Sequence, residues 1–398
     1  MLNRRKRYII LTKVTVKLKK ILSIVFISLL PTILLWIPFF VRLQSVWGIP
    51  IPPNGMGTIV ANYDGPLYLV VAKTLYNPEL VGNYEFGLPS QYYAAHFPLY
   101  PLLVRTFAPI SGFPYSMLFV TLLSSIIATY FFYVFIQEFV KKENALWVTF
   151  IFALFPARWL VVRSVGSVEP LFLASIIASL HYFRKERYLL AGFWGAIAQI
   201  TKSPAILLFI AYFLYLTLPK LKTLATITAS KLATTVDFKK IFSICLIPIA
   251  LLSVFIFYKI QLNDFLAYFH SGDNIHLFFP PFQIFNYSAP WVGTFWLEEV
   301  IFVYLFGILG LLKLIKMKET QIAWFVGIFF FSILFVSHRD LIRYSLPIVP
   351  FLFAAFSDTL VKKEFKLVMA ILLIPIYLFS LSYISQNVMP ISDWAPLL

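Results

Sequence analysis

Residues 62–101 read NYDGPLYLVVAKTLYNPELVGNYEFGLPSQYYAAHFPLYP, and this stretch differs from the sequence on both sides of it. It is polar, aromatic and rich in turn-forming residues, whereas its neighbours are long apolar runs. Asp64 is followed by Gly65 and Pro66, and an acid before a proline in the first turn is typical of a helix start. We therefore expect a short helix that begins at Asp64, with the carboxylate capping its first turn.

The residues that follow Asp64 predict one aromatic face of this helix. Tyr68, Ala72 and Tyr76 recur every four residues, so they would lie on the same side. The stretch closes with the cluster HFPLYP at 96–101. We expect the two clusters to form the wall of a site that takes a lipid substrate.

The composition outside this stretch is that of a membrane protein. Of 398 residues, 60% are apolar and 13% are charged, whereas a soluble domain has about half and about a quarter. The pattern predicts an all-α integral membrane protein, a polytopic helical bundle forming a single domain over 1–398. About eleven transmembrane helices are expected, at residues 21–43, 115–140, 145–162, 169–183, 188–200, 204–218, 241–258, 294–315, 322–336, 344–355 and 367–384.

The basic residues give this bundle an orientation. With the N-terminus inside, 24 of the 33 lysines and arginines fall on the inner side, as the positive-inside rule requires. The net charge of +16 is therefore a topology signal, and nucleic acid is not an expected partner. Residues 188–218 could instead be one kinked helix, but that reading would place the later lysine-rich loops outside.

This topology puts two long loops on the extracytoplasmic side. The first covers 44–112 and carries Asp64 and His96, and the second covers 259–293. The first apolar run is too long for a signal-peptide core, so we expect an uncleaved first span. We expect a multi-pass protein of a prokaryotic cell membrane in preference to the endoplasmic reticulum. The single Cys245 leaves the redox compartment open.

Several charged residues lie at the outer ends of these helices. Charge near membrane depth is costly and usually faces a wet cavity, so we expect a phosphate-binding group here. Arg339 and Arg343 are four residues apart and would share a helical face, with Lys202 as a third cation. For Arg163 the competing interpretation is snorkelling to lipid headgroups.

Two further groups have alternative explanations. Glu169 precedes Pro170 at a helix start, where an acid also favours the helix dipole. His270, Asp273 and His276 fit no ligand spacing that we can justify, and a solvated loop explains them. Neither a metal nor a cofactor is expected.

Residues 62–101 resemble the pattern of a known family. Asp64, Tyr68, Ala72, Tyr76 and residues 96–101 match the first outer loop of mannosyltransferases of the phosphatidylinositol-glycan class V type, within the GT-C superfamily. Weaker matches are FPA at 155–157, EPLF at 169–172 and TK at 201–202. The sequence departs from that pattern at Tyr63 (tryptophan in the family), Leu75 (glycine), His96 (phenylalanine) and residues 167–168.

The resemblance implies a GT-C-like fold and a specific chemistry. The donor would be a polyprenyl-phosphate sugar, most often mannose, and the acceptor a lipid-linked compound or a glycan, so this would be a hexosyltransferase of glycolipid biosynthesis. Transfer would invert the anomeric centre, with Asp64 as the general base. Arg343, Arg339 and Lys202 would bind the donor phosphate, and Tyr68, His96, Glu169 and Arg163 would contact substrate.

Two other classes compete with a transferase. A lipid or small-solute transporter or flippase usually carries its ionisable groups near the bilayer midplane, whereas these gather at outer helix ends. A non-catalytic assembly subunit would keep the fold, and an intact Asp64 argues against it.

The orientation can be tested by chemical labelling. With Cys245 replaced, single cysteines at Asn77 and Ser271 should react with a membrane-impermeant thiol reagent added outside, because both lie in the predicted outer loops. Labelling only after the membrane is opened would reverse the orientation.

Overall fold

The computed structural model describes residues 2–224, 238–272, 276–286, 288 and 297–398. Within these ranges the chain is predominantly helical, and one short antiparallel hairpin joins β1 (Ser45–Val46) to β2 (Ile49–Pro50). The predicted all-α helical membrane fold is confirmed.

The helices follow one another with short connections. In chain order they are α1 (Leu2–Phe40), α2 (Met56–Val60), α3 (Gly65–Thr74), α4 (Pro78–Val81), α5 (Leu99–Ile136), α6 (Lys142–Leu154), α7 (Ala157–Val162), α8 (Glu169–Arg184), α9 (Tyr188–Thr201), α10 (Ile206–Leu224), α11 (Phe238–Ile244), α12 (Leu246–Leu262), α13 (Glu299–Lys316), α14 (Thr320–Ile333), α15 (Leu341–Ser345), α16 (Val349–Ala355), α17 (Ser357–Leu360) and α18 (Lys363–Gln386).

Four apolar helical stretches in the described part of the chain are long enough to cross a bilayer. They are Leu18–Phe40, Leu99–Ile136, Phe238–Leu262 and Lys363–Gln386. Four shorter apolar helices cover Tyr188–Thr201, Ser203–Leu218, Thr320–Ile333 and Leu341–Ala355. The count of eleven spans stays a prediction.

Prolines set helix boundaries that the predicted spans missed. The expected continuous helix over 145–162 is wrong, because α6 ends at Leu154 and α7 begins at Ala157. Pro156 has no backbone N–H to donate and pushes the preceding Phe155 into an extended conformation. The expected span 115–140 begins much earlier, since α5 starts at Leu99 and bends at Gly112, where φ is 75°.

The ambiguous region 188–218 forms two helices. Lys202 separates α9 from a short 3₁₀ turn that leads into α10, and its backbone is extended, with φ −158° and ψ 138°. A lysine is therefore presented at the break between two apolar helices, where its side chain can reach a neighbouring element.

Helix α8 forms the centre of the bundle. Every residue from Glu169 to Leu180 is buried, which is expected of a helix that is covered on all sides. It packs between α5 and α9, and α9 in turn approaches α11 closely at Gly192. A Cβ at Gly192 would lie 1.9 Å from the carbonyl oxygen of Ser243, so only glycine allows this contact.

The C-terminal tail returns to the first outer loop. The Met389 amide donates to the carbonyl of Ala61 at 2.8 Å, and the Asn62 side chain donates to the carbonyl of Ile384 at 2.7 Å. Lys73 reaches the carbonyl of Pro396 at 2.7 Å. The segment that leads into Asp64 is thus fixed against the end of α18.

Ser271, one of the two positions proposed for cysteine labelling, is not accessible to a reagent in solution. Ser271 is buried and donates to the carbonyl of Tyr268 at 2.6 Å. The adjacent His270 is exposed, so it is the better position for a reactive cysteine in that loop.

Candidate active site

Asp64 occupies the residue before α3, but its carboxylate does not cap the helix. The side chain makes no capping hydrogen bond, so the expected cap is wrong. Its Oδ2 lies 3.5 Å from Nη2 of Arg343, and 41% of the side chain is exposed. Asp64 is therefore an accessible carboxylate held beside a guanidinium group.

Local backbone geometry explains the residues around Asp64. A Cβ at Gly65 would lie 2.3 Å from the carbonyl oxygen of Val60, so the turn requires glycine there. Tyr63 has a left-handed backbone, with φ 50°, a conformation that costs a non-glycine residue about 1–2 kcal/mol. Its ring lies 4.4 Å from the guanidinium carbon of Arg343, a contact that offsets part of this cost.

Glu169 is the buried centre of the site. Only 3% of its side chain is exposed, and Oε1 accepts hydrogen bonds at 2.7 Å from both Nζ of Lys202 and Nε of Arg343. Its other oxygen, Oε2, accepts from the hydroxyl of Ser167. Two cations and a hydroxyl thus satisfy one carboxylate, which offsets the cost of burying these charges.

A second ion pair adjoins the first and was missed by the sequence analysis. Arg158 lies 2.9 Å from Asp340, and Arg343 lies 4.0 Å from the other oxygen of Asp340. Arg158 also donates to the hydroxyl of Tyr63 at 3.1 Å and covers the ring of Tyr383. The only sequence signal was the position of Asp340 between two arginines.

Aromatic side chains form the wall that the sequence predicts. The rings of Tyr68 and His96 meet edge to face at 4.8 Å, and Tyr100 packs on Tyr68 at 5.1 Å. His96 is buried, and its Nδ1 has no hydrogen-bond partner among the described residues. Burial lowers the pKa of His96, so its imidazole is neutral at pH 7.

Tyr76 lies beyond the end of helix α3 and contributes to the wall from there. Helix α3 ends at Thr74, and Leu75 and Tyr76 both have left-handed backbones, so the expected single face through Tyr76 is wrong. The Tyr76 ring is nevertheless fully buried and its hydroxyl donates to the carbonyl of His96. Tyr76 therefore supports the wall from behind.

Two of the predicted site residues lie apart from this cluster. Arg163 is fully buried and donates to the carbonyl of Ala153 at 3.0 Å and to the carbonyl and hydroxyl of Ser28, each at 2.6 Å. These bonds tie α1 to the α6–α7 corner, so neither snorkelling nor substrate contact describes Arg163. Arg339 is exposed and makes no ion pair in the described part of the chain.

The histidines of the second loop do not form a metal site in the described ranges. His270 pairs with Asp264 at 2.7 Å, and the ring of His276 lies 4.3 Å from that of His338. Asp273 lies outside the described residues. No group of three or more potential ligands is found among the residues that the structure describes.

No protein-family model matches the sequence, and no curated protein matches it. The apo crystal structure of the Archaeoglobus fulgidus oligosaccharyltransferase matches with a TM-score of 0.51 at 13% identity, covering 94% of this chain. A structure of that protein with Zn and sulfate matches with a TM-score of 0.47 at 15% identity, covering 93% of this chain and 54% of that one.

The fold of this chain is similar to that of the oligosaccharyltransferase in the apo structure. The chain spans 57% of the length of the oligosaccharyltransferase in the apo structure. Four separate segments of this chain contribute to one cluster, whose members are Asp64, Glu169, Lys202 and Arg343. The similarity therefore concerns the fold alone, and any chemistry depends on these side chains.

Glu169 should be essential for stability. Glu169→Gln removes the buried charge that Lys202 and Arg343 share, and breaking a buried pair costs about 3–5 kcal/mol. We expect a clearly lower melting temperature in detergent. Glu79→Gln, which alters an exposed acid in the first turn of α4, is the matched control. Equal melting of both variants would show that the buried pair adds no stability.

Proposed function

We propose that this chain is a membrane glycosyltransferase that moves a sugar from a polyprenyl-phosphate donor to a lipid-linked or glycan acceptor on the extracytoplasmic side. The observation that carries the proposal is the accessible carboxylate of Asp64 at 3.5 Å from Arg343. A base and a phosphate-binding cation adjoin each other there, as attack at a sugar phosphate requires. The resemblance of residues 62–101 makes mannose the sugar that we favour.

The reaction has one bond to make and one to break. The acceptor hydroxyl oxygen attacks the anomeric carbon of the sugar, and the bond from that carbon to the phosphate oxygen breaks with its electron pair going to the phosphate. The hydroxyl proton goes to Asp64, whose carboxylate is exposed enough to meet an acceptor. Attack opposite the leaving group inverts the anomeric centre, and a positioned base contributes about 10²–10⁴-fold.

Arg343 and Lys202 are the groups that would meet the phosphate. The leaving phosphate gains negative charge as the bond breaks, and fixed cations stabilise that charge. Glu169 holds both cations at 2.7 Å, so they need not reorganise during the reaction. Because Glu169 is buried and accepts three side-chain hydrogen bonds, it positions the cations and does not act as the base.

The aromatic wall forms a buried apolar boundary of the site. Tyr68, four residues after Asp64, and His96 form it, and both side chains lie within electrostatic reach of the Asp64 carboxylate. Membrane lipids surround the helices and would deliver a donor that is itself a lipid. This delivery explains why so little of the chain lies outside apolar helices.

Asp64→Asn separates a general base from a structural aspartate. Asparagine keeps the shape of the side chain but takes no proton at neutral pH, so we expect a folded variant with transfer reduced at least about a hundredfold. Binding of the lipid donor should persist, since Arg343 and Lys202 are unchanged. The readout is sugar transfer together with donor affinity in reconstituted vesicles.

Asp393→Asn is a matched control, because Asp393 accepts a hydrogen bond from the Ala395 amide at 2.9 Å and asparagine replaces aspartate well in that role. It should transfer sugar normally. Near-normal turnover in Asp64→Asn would remove Asp64 from the mechanism.

A further inference from the structure

An exposed aromatic segment adjoins the cation cluster and has no role in the chemistry above. We call residues 276–286 the outer strap. Leu277, Phe278, Phe279, Phe282 and Phe285 are all exposed there, and 86% of Phe279 is accessible. Exposed apolar surface of this extent on one short segment marks a contact with lipid or with a ligand.

Backbone hydrogen bonds fix the strap to the segment that leads to Arg343. The Ser337 amide donates to the carbonyl of His276 at 2.9 Å, and Leu277 pairs with Val336. The Phe278 amide donates to the carbonyl of Phe335 at 2.9 Å. The strap is therefore held in one register beside residues 334–337.

One end of the strap reaches the cation cluster. The ring of His276 lies 4.3 Å from that of His338 and 5.9 Å from that of Tyr344. The Tyr344 ring is in turn 5.8 Å from Nζ of Lys202. A ligand chain that runs from a phosphate at Lys202 past the Tyr344 ring would thus reach the strap.

The other end of the strap lies on a helix that faces lipid. Phe282 and Phe285 pack on Tyr304 of α13, with ring centroids 5.7 and 6.4 Å apart. Helix α13 exposes Leu305, Leu309 and Leu312, which share one side at helical spacing. The strap therefore connects an apolar helix face to a cationic site.

We propose that the outer strap binds the first isoprene units of the polyprenyl phosphate, an inference that rests on the proposed function. The ligand has a charged phosphate and a long apolar chain. The cations Lys202 and Arg343 lie at one end of the strap, and its exposed apolar side chains continue from there. The strap thereby selects for an isoprenoid chain and directs the phosphate towards Lys202 and Arg343.

The test uses two sugar-free phosphates and the full chain in lipid nanodiscs. Geranyl phosphate carries two isoprene units, and methyl phosphate has the same head without them. The wild-type protein should bind geranyl phosphate on the order of tenfold more tightly. Phe279→Ser and Phe278→Ser/Phe279→Ser should reduce this preference about three- to tenfold and leave the affinity for methyl phosphate unchanged.

Phe40→Ser is the matched control, because Phe40 is 75% exposed at the end of α1 that leads to the first loop. It should leave both affinities unchanged, and melting temperatures should confirm that all variants are folded. A wild-type protein without a preference for geranyl phosphate, or strap variants that keep the full preference, would overturn the proposal.

Arg343→Ala separates the two proposals. This variant should weaken the binding of geranyl phosphate and of methyl phosphate equally, because both carry the same phosphate group. Suppose that Arg343→Ala binds both phosphates normally while the strap variants lose the preference for geranyl phosphate. The proposal that the strap binds isoprene units would then be supported, and the proposal that Arg343 binds the phosphate would be wrong.

Discussion

The buried carboxylate of Glu169 is the interaction on which the site depends. Burying a charge costs several kcal/mol unless it is paired with good geometry, and Glu169 has only 3% of its side chain exposed. Lys202 and Arg343 both donate to the same oxygen at 2.7 Å. This requirement joins the start of α8 to the break between α9 and α10 and to α15. Three segments far apart in the sequence are thereby held at one end of the bundle.

The balance of charge explains why an exposed acid lies beside this centre. Glu169 neutralises one of its two cations, and Asp64 supplies the second negative charge at 3.5 Å from Arg343. Arg158 and Asp340 form a neighbouring ion pair at 2.9 Å. Asp340 also lies 4.0 Å from Arg343, so this pair limits the positions that the Arg343 side chain can take. Arg343 therefore links a buried structural carboxylate to an accessible one. In the proposed reaction, a phosphate and an acceptor hydroxyl would meet at the accessible side.

The sequence predicted much of this arrangement because composition and local spacing carry that information. The membrane fold follows from the apolar content, and Asp64, Glu169, Lys202 and Arg343 were each identified from their positions at helix ends. What it missed depends on contacts across the fold. Asp64 turns towards Arg343 instead of capping α3, and local propensity cannot show a partner 279 positions away. The burial of Arg163 and the Arg158–Asp340 pair have the same origin, because neighbouring elements decide them. The break at Pro156 is a local effect of proline that the continuous apolar run concealed.

The proposed transfer of a sugar from a polyprenyl-phosphate donor can be measured in reconstituted membranes. The most direct measurement is radiolabel transfer in proteoliposomes from a defined panel of polyprenyl-phosphate sugars, including mannose, to added glycolipid and glycan acceptors. We predict that at least one donor yields labelled product with inverted anomeric configuration, and that vesicles without the protein yield none. Movement of intact donor between the two leaflets with no glycosidic product would contradict the proposed glycosyl transfer and indicate a lipid flippase.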